Sequence, residues 1–113
     1  MRGVKVLSLR PYLGEIWLCE TARTLHKAYQ KHTKTAYPYC DDAGVGRYVW
    51  LKGDLPSDHI FLVWADTQHA LAHEFSHVLL LTFKEIGHDP REGDGEPFCY
   101  MLSQLLMEAQ ETK

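Results

Sequence analysis

The chain has only three cysteines and no apolar run long enough to span a membrane. Each of these features excludes a class of protein. No two of its three cysteines are closely spaced, which does not fit a disulfide-stapled secreted scaffold. Arg10 and Pro11 interrupt the N-terminal apolar residues before they reach the length of a signal peptide, and no segment approaches the roughly 18 uncharged residues of a membrane span. We therefore expect free thiols at Cys19, Cys40 and Cys99, in a cytoplasmic protein with no membrane partner.

The chain also lacks a known nucleic-acid-binding motif, although its charge is unevenly distributed. The net charge is −3, but residues 1–36 carry seven Lys or Arg and two acids, whereas residues 85–113 carry seven acids and two bases. A basic groove for nucleic acid is one explanation, and mutual neutralisation of the two ends in the fold is the other. We expect neutralisation, and no nucleic-acid partner.

What the chain does contain is the pattern of one α+β domain over residues 1–113. Its length suffices for a hydrophobic core, and its 45% apolar and 24% charged residues are ordinary for a globular protein. Alternating apolar residues predict strands, and apolar residues at helical spacing predict helices. The expected elements are a strand over 3–9, a strand or helix start over 15–19, a helix over 21–33 capped by Thr21, an antiparallel hairpin over 46–52 and 59–65, and helices over 67–86 and 96–110.

The first of these last two helices contains the pentapeptide His-Glu-Phe-Ser-His at positions 73–77. Residues four apart lie on one face of a helix, so His73 and His77 can reach one metal ion while Glu74 lies beside them. Burying such groups without partners costs roughly 1–3 kcal/mol each, and more for a charge. A bound cation would satisfy all three groups, and a hydrogen-bonded polar patch at the helix surface is the alternative.

Catalytic zinc takes three protein ligands and keeps a fourth position for water, so a third ligand is needed. Glu96 follows His77 after eighteen residues and begins the last expected helix. The helix from His77 to Ile86 advances about 13–14 Å and the nine-residue loop spans up to roughly 30 Å, so Glu96 can return to the histidines. Glu96 is the favoured ligand, and the other candidates are His69, His88, Asp89, Glu92, Asp94 and Cys99.

The sequence HExxH, followed by eighteen residues and then Glu, resembles the gluzincin pattern of thermolysin-like and aminopeptidase-type zinc proteases. The Ala-Leu-Ala-His-Glu start of the motif and the segment Glu96–Tyr100 also resemble small zincin-like proteins that phages and prophages commonly encode. This second resemblance covers residues 59–108. The implied fold is a minimal zincin-like α+β domain with a small, mostly antiparallel sheet, a supporting helix, a metal-binding HExxH helix and a C-terminal helix.

The resemblance implies zinc-dependent hydrolysis of peptide bonds. His73, His77 and Glu96 match the zinc ligands, and Glu74 matches the general base that takes a proton from a metal-activated water. Tyr100 lies four residues after Glu96 on the same face of its helix and is a candidate hydrogen-bond donor to the oxyanion. A tyrosine of the hydrophobic core is the equal alternative for Tyr100.

The expected substrate is a peptide or protein that binds near residues 59–65, which are predicted as an edge strand leading into the metal helix. Two other functions stay open. A catalytically inactive zinc-binding interaction module, such as a phage accessory or host-interaction protein, would keep the metal without turnover. A plain binding protein with a polar helix face would contain no stoichiometric metal.

Overall fold

The structure is a computed structural model that describes residues 2–10, 12, 14–38, 45–55 and 58–111. In chain order its elements are β1 (Val4–Ser8), β2 (Glu15–Cys19), α1 (Ala22–Thr33), β3 (Gly46–Leu51), β4 (Ile60–Ala65), α2 (Gln68–Glu85), a 3₁₀ helix (Glu92–Gly95) and α3 (Glu96–Gln110). The α+β class and the predicted helices and strands are confirmed, and segment 15–19 is a strand. Cys19 and Cys99 are free thiols, and Cys40 lies outside the described residues.

The four strands form one mixed sheet in the order β1-β2-β4-β3. The pairs β1–β2 and β3–β4 are antiparallel, whereas β2 and β4 are parallel neighbours, with Trp17 opposite Leu62. A parallel pair requires a crossover, and here the chain leaves β2 through α1 and β3 before it returns as β4. The predicted antiparallel hairpin is confirmed as β3–β4, and the strand that leads into α2 lies inside the sheet.

The prediction that residues 59–65 form an edge strand is therefore wrong. β4 is paired on both sides, with β2 and with β3. Its side chains explain this position, because Phe61, Leu62 and Val63 are consecutive and all buried, which is typical of a central strand covered on both faces. Among the described residues, the edge strands are β1 and β3.

Helices cover both faces of the sheet. On one face α2 and α3 pack against the strands in a core formed by Leu7, Leu9, Ile16, Phe61, Val63, Leu71, Phe75, Val78, Leu79, Phe83, Met101 and Leu105. On the other face α1 packs on a smaller core formed by Cys19, Leu25, Ala28 and Leu62. Successive residues of β4 alternate between the two cores, as the two-residue period of a strand requires. The helices α1 and α2 therefore lie on opposite sides of the sheet.

The helix α2 begins at a side-chain cap and is followed by a glycine. Thr67 Oγ1 accepts a hydrogen bond from the amide of Ala70 at 3.0 Å, and Gly87 has a φ of 73°, which suits glycine. These signals confirm the helix predicted over 67–86. Neither this helix nor any other in the described part of the chain is both long and apolar enough to cross a membrane.

Side-chain ion pairs among the described residues do not join the basic and acidic ends of the chain. Those present are Lys52–Glu85, His88–Glu92 and Arg91–Asp89. The ends meet instead through Lys5, whose ammonium donates hydrogen bonds to the carbonyls of Glu108 and Glu111 at the end of α3. Carbonyls in the last turn of a helix lack regular helical partners and lie at its negative end, so Lys5 stabilises this terminus.

Replacing Lys5 with methionine removes the charge from the end of α3 and keeps a flexible side chain of similar length. We expect Lys5→Met to lower the free energy of unfolding by about 1 kcal/mol, measured by urea denaturation. Lys27 is exposed in the middle of α1 and supplies the control. Lys27→Met should change the same quantity by less than about 0.5 kcal/mol, and equal effects of the two substitutions would contradict the capping role of Lys5.

Candidate metal site

His73 and His77 lie on one face of α2, one helical turn apart. Their Nε2 atoms are 3.2 Å apart and their ring centroids are 4.8 Å apart. Two nitrogen ligands of a tetrahedral zinc ion, each about 2.0–2.1 Å from the metal, lie about 3.3–3.4 Å from each other. The spacing of the two imidazoles therefore fits a shared zinc ion, and it equally fits the hydrogen bond that the two rings form with each other in this structure.

The two histidines differ in how strongly the fold restrains them. His73 is exposed, whereas His77 is half-buried and faces the edge strand β3. Tyr48 of β3 stacks on the His77 ring, with centroids 4.9 Å apart and ring planes inclined by 20°. One imidazole therefore faces solvent, and the other is held between α2 and β3.

Glu74 is buried between the same two elements. Its exposed fraction is 8%, and the backbone of β3 passes close to it at Gly46. A Cβ at this position would lie 3.2 Å from a carboxylate oxygen of Glu74 and 3.1 Å from the carbonyl oxygen of Trp64, so either neighbour would have to shift. The absence of a side chain at Gly46 therefore allows the strand to approach the carboxylate.

The surroundings of Glu74 act on its protonation in two directions. Burial raises the pKa of the Glu74 carboxyl, because desolvation disfavours the charged form. The nearby His73, His77 and Arg47 lower the pKa, and burial is the larger effect. Glu74 is thus a buried carboxyl beside two imidazoles, and its pKa is raised above the ordinary value.

A depression of about 430 Å³ opens beside Glu74 at the N-terminal end of α2. It lies where α2 and β3 begin, and there the amide of Asp66, between β4 and α2, donates to the carbonyl of Val45, the residue before β3, at 2.9 Å. Its lining residues are Val45, Asp66, Thr67, His69, Ala70, His73 and Glu74. This depression, the cleft from here on, gives a ligand access to His73, to the rival candidate His69 and to the buried carboxylate.

Glu96 is not grouped with the two histidines. It is the exposed first residue of α3, and Phe98 in the same turn packs against Phe83 near the C-terminal end of α2, with ring centroids 5.8 Å apart. Within the described ranges, no three His, Cys, Asp or Glu side chains lie close enough together to hold a metal ion. Ligation by Glu96 would require the start of α3 to move towards the histidines, and its role as third ligand stays a prediction.

Tyr100 lies at a different depression from Glu74. Its side chain is 69% exposed and borders a hollow of about 340 Å³ between α3 and the end of β1. The hollow is lined by Ser8, Arg10, Tyr100, Met101, Gln104, Leu105 and Glu108, none of which lines the cleft. The role of Tyr100 as oxyanion donor stays a prediction, to which the described contacts add no support.

Of the rival ligands, His69 is the one that lies at the cleft. It is one helical turn before His73 and lines the same depression. His88 lies beyond the other end of α2, where its Nε2 is 3.7 Å from a carboxylate oxygen of Glu92. The described structure therefore leaves His69 as the rival nearest to the pair.

Gly46 and Tyr48 are parts of the site that the sequence pattern did not single out. Both positions belong to the predicted strand 46–52, and their spacing of two residues places them on one face. The sequence pattern did not predict that this face packs against α2. Their roles become visible only once β3 is known to lie beside Glu74 and His77.

Two histidines, a buried carboxylate and a cleft thus lie together where α2 meets the edge strand β3. No protein-family model matches the chain, and no curated protein or solved structure matches it either. The function of the site is therefore inferred from its own geometry and chemistry.

Proposed function

We propose that the chain is a zinc-dependent metallopeptidase with a minimal zincin-like domain. His73 and His77 hold the metal, and Glu74 is the general base. The observation that carries the proposal is the 3.2 Å separation of the two Nε2 atoms on the same helix turn as a buried carboxylate. This separation suits two ligands of one zinc ion, and apart from Glu74 and Thr82 the buried residues of α2 are apolar.

Zinc bound by the two imidazoles would lower the pKa of a bound water to about 7 and polarise a peptide carbonyl. Glu74 accepts the proton of the attacking water and delivers it to the leaving amine. Its burial suits this role, because a carboxyl with a raised pKa holds a proton more readily than an exposed one. Gly46 keeps the carboxylate in place by bringing the strand backbone against it.

The substrate in this proposal is a peptide that pairs with β3 rather than with β4. β3 has a free edge among the described residues, and an extended peptide can add to such an edge through backbone hydrogen bonds. Gly46 approaches Glu74 and Tyr48 contacts His77, so a peptide on β3 would run beside the reacting groups. The cleft at the start of α2 then accepts a side chain of the substrate.

A zinc-binding interaction module without catalysis is the second candidate function. The observation that favours it is the position of Glu96 and Tyr100, neither of which is grouped with the histidines in the described structure. Such a module would bind zinc through the same histidines. It differs from a peptidase in that loss of the Glu74 carboxylate would leave its action unchanged.

Metal content tests the ligand pair. Protein purified without a histidine tag and supplied with zinc should contain about one zinc per chain by mass spectrometry of the metal. His73→Ala and His77→Ala should each lose it, because a single imidazole does not hold zinc against dialysis. His32 is exposed on α1, across the sheet from the site, and His32→Ala is the control that should retain the metal. Wild-type protein without zinc would refute the site.

The third ligand has its own test. The gluzincin spacing predicts that Glu96→Ala loses zinc as His73→Ala does. Glu85→Ala is the control, because it removes an exposed carboxylate at the C-terminal end of α2 that is not a candidate ligand. Retention of about one zinc per chain in Glu96→Ala would exclude Glu96 as a ligand. His69→Ala should retain zinc if Glu96 is the ligand, and its loss of zinc would transfer the assignment to His69.

Catalysis is tested by replacing Glu74 with glutamine. We expect Glu74→Gln to keep its zinc and its thermal stability, because the amide has the same size and is not charged. Cleavage of a proteome-derived peptide mixture, scored as new termini by mass spectrometry, should fall by at least about 100-fold, which is the usual contribution of a general base. Glu85→Gln changes an exposed carboxylate on the same helix and should leave cleavage unchanged.

Two results would contradict this assignment. Cleavage that survives in Glu74→Gln would exclude Glu74 as the base. Zinc-loaded wild-type protein that cleaves none of the peptides would refute the peptidase and favour the interaction module.

A further inference from the structure

Tyr48 and Trp50 occupy consecutive positions on the face of β3 that packs towards α2, but they contact different side chains. Tyr48 stacks on His77 at 4.9 Å and 20°. Trp50 stacks on Phe61 at 5.7 Å and 15° and meets His59 edge to face at 5.5 Å. Both rings belong to the packing of this face, and of the two it is Tyr48 that touches a candidate metal ligand.

The orientation of the His77 ring decides whether its Nε2 faces the position shared with His73. Histidine ligands are usually oriented by a hydrogen bond from their other ring nitrogen to a carboxylate or a carbonyl. Within the described residues, Nε2 of His77 forms a hydrogen bond with Nε2 of His73 at 3.2 Å, and no hydrogen bond joins Nδ1 of His77 to another protein atom. Besides His73 on the same helix, the stacked ring of Tyr48 is a contact that restrains the plane of the imidazole, and it comes from β3.

We propose that Tyr48 is a positioning residue that orients His77 for metal binding through the face of its aromatic ring. The inference rests on the proposed zinc site and adds to it the restraint that takes the place of the usual hydrogen bond. The contact is made ring to ring, so the ring at position 48 is required and the phenol hydroxyl is not. Because Tyr48 belongs to the edge strand, the strand that offers its backbone to a peptide also orients a metal ligand.

The test compares zinc affinity in four proteins: wild type, Tyr48→Phe, Tyr48→Leu and Trp50→Leu. The zinc Kd is measured by competition with a chromophoric chelator, and the visible spectrum of the cobalt(II) form reports the geometry at the metal. Tyr48→Leu should bind zinc about tenfold more weakly, at the lower end of the range for residues that orient a ligand, and should change the cobalt spectrum. Tyr48→Phe keeps the ring and should stay within about twofold of wild type.

Trp50→Leu is the matched control, because it removes an aromatic ring from the same strand and the same face. Its zinc affinity should stay within about twofold of wild type even where its thermal stability falls. Thermal unfolding of the metal-free proteins shows that each variant is folded. Tyr48→Ile, a β-branched change that suits a strand, replaces Tyr48→Leu where the leucine variant does not fold.

The possible failures are distinct. Unchanged affinity in Tyr48→Leu would overturn the proposal, and so would equal losses in Tyr48→Leu and Trp50→Leu, which would show that β3 acts only through the stability of the fold. A loss in Tyr48→Phe would assign the effect to the hydroxyl and would also overturn it. Wild-type protein that binds neither zinc nor cobalt(II) would refute the zinc site itself, and with it the proposed function.

Discussion

The close approach of β3 to α2 is the constraint on which the candidate site depends. Histidines four residues apart face the same way on any helix, but the helix alone neither buries a carboxylate nor restrains a ring. Gly46 brings the strand backbone against Glu74, and Tyr48, two residues later, meets His77. From Gly46 to Tyr48 the strand advances about 6.6 Å, and from Glu74 to His77 the helix advances about 4.5 Å. Both contacts can form at once when the strand is inclined to the helix.

The burial of the Glu74 carboxylate lowers the stability of the fold. Its raised pKa means that the ionised carboxyl is less favourable in the fold than in water. The helix tolerates the residue because its neighbours Phe75, Val78 and Leu79 are fully buried in the larger core. An alanine at position 74 would remove the cost of desolvation and keep the helix. In the proposed function, this cost accompanies the use of the carboxylate as a base.

Local features of the chain were predictable because short-range interactions decide them. Thr21 caps α1 as predicted, and Thr67 caps α2 at the start of the helix predicted over 67–86, each through a hydrogen bond that spans three residues. The run Phe61–Val63, which is apolar at every residue, was a sequence signal for the interior position of β4. Which strands flank β4 was not predictable, because that depends on pairs such as Trp17 and Leu62, which are far apart in sequence. For Glu96, the length of the preceding loop set only an upper limit on its distance from the histidines. The packing of Phe98 against Phe83, near the C-terminal end of α2, decided the position of Glu96 within that limit.

The side chains of Glu74, His77 and His73 are restrained to different degrees. These differences decide which side chain would lose most freedom when a metal binds. Glu74 is fixed by burial and His77 by the Tyr48 ring, whereas His73 is exposed and its described contact is with His77. Most of the side-chain entropy lost on binding a metal would therefore be lost at His73. A prearranged ligand costs less to order than a mobile one. Glu74 and His77 face β3, where a paired peptide would arrive, and Glu74 also lines the cleft together with the adaptable His73.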